Sequence, residues 1–67
     1  MFGFLKRRAE LKRRAHIRAE ALLARRGEEA WQIVYGICRD QDRDLEDRLF
    51  YYRVRDIIEQ RLGMSPG

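Results

Sequence analysis

The chain has 67 residues, 39% of them charged and 45% hydrophobic, with a formal net charge of +4, which allows one small domain around a marginal core and no second one. One cysteine and one histidine exclude an internal disulfide or an all-protein zinc centre as the missing support, so tight helix packing or self-association has to supply it. Ser65 is the only serine and there is no threonine or asparagine, so Ser/His/Asp chemistry is excluded and no enzyme activity, metal or cofactor is expected from a chain that rarely builds a walled pocket.

Taken from the N-terminus, the apolar stretch Met1 to Leu5 precedes the cations Lys6, Arg7 and Arg8, the reverse of a secretory signal and much too short for one. No window approaches the run of about 20 apolar residues that a membrane-spanning helix needs. With a lone free Cys38, a reducing cytoplasm is the expected setting.

Ala, Leu, Arg, Glu and Gln dominate from Leu5 to Leu62, and the β-branched residues are few, which predicts an all-α chain. A first helix is expected over about 4–26, closed by Gly27, with Arg25 and Arg26 placed favourably at its dipole's negative end. A second is expected over about 28–39, with Glu28 and Glu29 at its start and Trp31, Val34, Tyr35 and Cys38 along one face. The run from Asp40 to Asp44 reads as a turn, with Asp42 or Asp44 capping a third helix over about 43–62. Gly63 and Pro66 stop it, and residues 63–67 form a frayed tail. Gly27 and Gly36 are ambiguous breaks, so the single domain 1–67 is a helical hairpin or a three-helix bundle, completed by self-association.

On the first helix Phe4, Leu11, Ala15, Ala19 and Leu22 form the apolar stripe, widened by Leu5, Ala9 and Leu23. Lys6, Arg7, Arg13, Arg14, Arg18 and Arg25 lie mostly opposite and make a candidate polyanion-binding face; a plainly solvated face is the commoner origin of such a pattern. Residues 1–26 hold nine Lys+Arg against two acids, net +7, whereas residues 27–67 hold six against nine, net −3. That asymmetry is either neutralised inside the fold or turned toward a partner.

The third helix has two apolar faces. Leu45, Leu49 and Tyr52 fall within about 60° of one another, and Phe50, Val54, Ile57 and Ile58 cluster nearly opposite, flanked by Tyr51 and Leu62. Either the helix is sandwiched between the other two, or one face is left for a copy or partner. The expected interface is Phe50, Tyr51, Val54, Ile57, Ile58 and Leu62, rich in the aromatic anchors that dominate contact energies.

Three features imitate chemistry. Asp40, Asp42 and Asp44 copy the first ligands of a calcium loop, but Leu45 stands where glycine is required and Tyr51 where a bidentate glutamate belongs. His16 has no second ligand at helical spacing, and Glu46, Asp47, Asp56 and Glu59 interleave with arginines at ion-pair spacing. The sequence thus predicts a small non-enzymatic protein-interaction module, an adaptor, regulator or inhibitor, that associates with itself and with another protein and whose arginine-rich helix meets an acidic surface. Nucleic-acid binding through the first helix is the first alternative, and membrane attachment through Phe2, Phe4, Leu5 and the following cations is the second.

Overall fold

A computed structural model of the protein describes the backbone of residues 2–64 and the side chains of residues 7–64. Three helices pack on one another: α1 (Phe2–Arg26), α2 (Glu29–Arg39) and α3 (Leu45–Leu62). The all-α expectation holds, and the breaks fall at the predicted punctuation. The membrane-anchor residues Phe2, Phe4 and Leu5, and Lys6 of the polyanion set, have side chains outside the described residues.

Gly27 takes a left-handed backbone (φ 57°) and its N–H bonds to the Leu23 carbonyl at 2.9 Å. That closure ends α1 at a conformation only glycine adopts cheaply, and α2 restarts within two residues. Gly36, in contrast, stays inside α2. Between α2 and α3 the Asp40 carboxylate accepts a bond from the Asp42 N–H at 3.0 Å and lies 3.8 Å from the Arg43 guanidinium, so this aspartate builds the turn. Asp44 is the α3 N-cap residue, without a side-chain capping bond. The Arg48 Nε–H donates to the Cys38 carbonyl at 3.2 Å, giving a partner to an acceptor in the last turn of α2, where helix carbonyls lack intrahelical donors.

The core is made of Ala15 and Ala19 from α1, Ala30, Val34 and Cys38 from α2, and Val54 and Ile58 from α3. Its small side chains let the three helices approach closely but bury little area. Leu22, Leu23, Trp31, Phe50, Tyr51, Tyr52, Ile57 and Leu62 pack around it half-buried. Trp31 Nε1–H donates to Glu59 Oε2 at 3.0 Å and ties α2 to α3, while within α3 the Arg55 Nε stands 3.9 Å from the same oxygen and its guanidinium sits 5.1 Å from the Tyr52 ring centre.

Burial in α1 starts only at Ala15. Every described residue from Arg7 to Arg14 is exposed. A helix of 25 residues is about 37 Å long, close to the 38 Å longest extent of the molecule, and its first half runs past the start of α3 without closing on it.

Candidate functional site

The expected contact surface on α3 is used inside the chain. Val54 and Ile58 are completely buried, and Phe50, Tyr51, Ile57 and Leu62 are half-buried against the core. The assignment of α3's two faces is therefore corrected: α1 and α2 both pack on the face carrying Val54 and Ile58, and the ridge left open is the other one, with Leu45 65% and Leu49 54% exposed. Leu11, placed by its spacing on the core stripe of α1, is also an exposed residue, because the core of α1 begins one turn later.

Leu11 and Leu49 meet in a groove of about 480 Å³ between the first half of α1 and the start of α3. Leu11, Leu49 and Phe50 line it, Arg7, Arg14 and Arg53 stand on its rim, and Glu10 and Glu46 complete it. A neighbouring depression shares Arg14 and Phe50 and adds Ile17 and Arg18, with Ile17 62% exposed. Leu11, Leu49 and Phe50 thus share one groove, Phe50 also borders the depression that holds Ile17, and Leu45 lies one turn before Leu49 on α3. Ile17 was legible as a large apolar residue about 180° from the middle of the alanine stripe.

Arg7, Arg13, Arg14, Arg18 and Arg25 are all exposed. Four of the five share one stripe that flanks the core direction and does not lie opposite it as expected: at 100° per residue Arg7, Arg14, Arg18 and Arg25 fall within about 40°, with Arg7 and Arg14 on the groove, Arg18 in the neighbouring depression and Arg25 at the far end of α1, while Arg13 lies about 120° around the helix. Their charge is not neutralised by the rest of the fold. Among the described residues, Arg14 is the only cation of α1 in an ion pair, with Glu10 of its own helix at 3.6 Å. The single ion pair joining α1 to α3 runs the other way, from Arg61 to Glu20, and so occupies an acid of α1. Arg7, Arg18, Arg53 and Glu46 around the groove and its neighbouring depression have no ion-pair partner among the described residues.

The other candidate groups have structural surroundings. Trp31 and Tyr35 stack at 4.8 Å, with the Arg39 guanidinium 5.6 Å from the Tyr35 ring centre. Burial pushes the Cys38 thiol up from its usual range, partly offset by the positive charges of Arg55 and Arg48. His16 is exposed, and among the described residues no three His, Cys, Asp or Glu side chains converge as metal ligands. No described helix is long and apolar enough to cross a membrane.

Comparison with protein-family models, with curated proteins and with solved structures finds no match to this chain.

Proposed function

We propose that the protein is a non-enzymatic interaction module that docks another protein surface, apolar with acidic flanks, on the face formed by α1 and the start of α3. The observation that carries this reading is the exposed apolar set Leu11, Ile17, Leu45 and Leu49 lying near arginines of α1 that, among the described residues, make no ion pair with α2 or α3. Apolar side chains supply contact area and unpaired guanidiniums supply orientation, the division of labour found between the centre and rim of protein interfaces. A nucleic-acid surface would use the arginines but leave Leu45, Leu49 and Ile17 without a role. Three of the carboxylates have structural partners: Glu59 holds Trp31, Glu20 holds Arg61 and Asp40 builds its turn.

Site-specific photo-crosslinking tests the reading. A benzophenone side chain at position 49 should yield protein adducts in cells that make this chain, and one at position 33, on the exposed side of α2, should yield few or none. Equal adducts at both positions, or adducts to nucleic acid alone, would remove it.

A further inference from the structure

We infer that the occupant of the α1–α3 groove is an acidic amphipathic helix of about four turns, supplied by another protein. The inference rests on the reading of this face as a protein-docking surface and names the chemistry of what docks there. Leu11, Leu49 and Phe50 line the groove, so its occupant has an apolar side. The charge around those residues is one-sided. Glu10 is taken up by Arg14 of its own helix, which leaves Arg7 and Arg53 on the groove and Arg18 in the adjoining depression, against Glu46 alone, without an ion-pair partner among the described residues. Arg7 belongs to α1 and Arg53 to α3, so cations stand on both walls. An apolar stripe with carboxylates on both flanks answers all of these groups at once, and the net charge of +7 on residues 1–26 draws acidic partners toward this face.

Shape selects a helix. The groove and the depression join through Arg14 and Phe50, and their lining on α1 runs from Arg7 to Ala21, a rise of about 21 Å that four helical turns match. Both walls are helices, and a third helix laid between them turns its positions i, i+3, i+4 and i+7 toward Leu11, Leu49 and Phe50 and its flanks toward the arginines. The described residues contain no strand, so an extended segment finds no sheet edge to join. An anionic bilayer is met by an apolar face on the outside of a helix; here Leu11 and Leu49 come from two helices and line the trough between them.

Fluorescence anisotropy with a labelled model peptide and the full chain at low salt tests this, the peptide having about fourteen residues with leucines at helical i, i+3, i+4 and i+7 spacing and glutamates on the flanks. The peptide should bind, and circular dichroism of the mixture should show more helix than the sum of its parts. Arg7→Glu with Arg53→Glu, both exposed, should weaken binding by about tenfold or more, and Leu49→Ser by about fivefold or more. Arg13→Glu with Arg26→Glu makes the same change of charge away from the groove, also on exposed residues, and should weaken binding by less than about threefold. Circular dichroism of each variant alone confirms that its helices are kept. Equal binding of a peptide with the same composition in scrambled order, equal effects of the two charge reversals, or binding without gain of helix would each overturn the inference. So would capture by vesicles of phosphatidylcholine with phosphatidylserine in place of the peptide, which would assign the face to a membrane. Protein adducts at position 49 without binding of the acidic peptide would overturn the inference and leave the docking reading standing, whereas loss of both would end both.

Discussion

Cys38 shares the interior with Val34, Val54 and Ile58, and the consequence is chemical as well as steric. Removing water from the sulfur disfavours the thiolate, so its pKa lies above the usual thiol value despite the opposing charges of Arg55 and Arg48. The unfolded chain therefore releases this proton at lower pH than the folded chain. Below the unfolded thiol pKa the two states carry the same number of protons there; above it the folded state holds more, and stability falls as pH rises through the window up to the folded value. In urea titrations between neutral pH and pH 10, Cys38→Ala should lack this alkaline loss, so the difference in stability between wild type and variant should move against the wild type as pH increases. A difference that stays constant with pH would show that the thiol is not shielded from solvent.

Helix ends and faces are where the pattern of residues succeeded and where it misled. Gly27 and Gly36 look alike in the sequence, yet only Gly27 has a left-handed backbone. Neither would place a new Cβ within 4 Å of a neighbour, so alanine at each position reports backbone preference alone. Gly36→Ala should stabilise the protein by about 0.5–1 kcal/mol through helix propensity, and Gly27→Ala should destabilise it by about 1 kcal/mol or more. Thermal melts of the two variants moving in the same direction would contradict this account of the break. The breaks and the number of helices were readable because Gly27, the aspartates after Arg39 and Gly63 are local signals. The contact face of α3 was not. Periodicity puts Leu45 and Leu49 on one side and Val54 and Ile58 on the other, but which side receives α1 and α2 depends on how the helices cross, and that is a long-range property. Leu11 shows the same limit, since its spacing matches Ala15 and Ala19 while in the fold it opens into the groove beside Leu49 and Phe50. The arginine asymmetry was readable, but its lack of internal partners depended on where the acids of α3 came to rest.

At the scale of the whole molecule, two apolar faces of one helix have different duties, and stability can separate them. Ile58 and Val54 are sealed among three helices, so truncation leaves a cavity that neighbours fill only in part. Ile58→Ala is expected to cost about 2–5 kcal/mol, a large share of what so small a fold possesses, and Ile58→Asp should abolish folding by burying an unpaired charge. Leu49 is more than half exposed, so Leu49→Ser removes little buried area from the single chain and should shift its stability by less than about 1 kcal/mol. The comparison has to be made at a protein concentration low enough for the chain to be monomeric, because any species that binds only the folded state adds to apparent stability by mass action. If a second copy covers the ridge, raising the concentration lifts the melting temperature of wild type but not of Leu49→Ser; a melting temperature that does not move with concentration leaves the ridge to a foreign partner. If Leu49→Ser instead unfolds the dilute chain as readily as Ile58→Ala, the ridge belongs to the core.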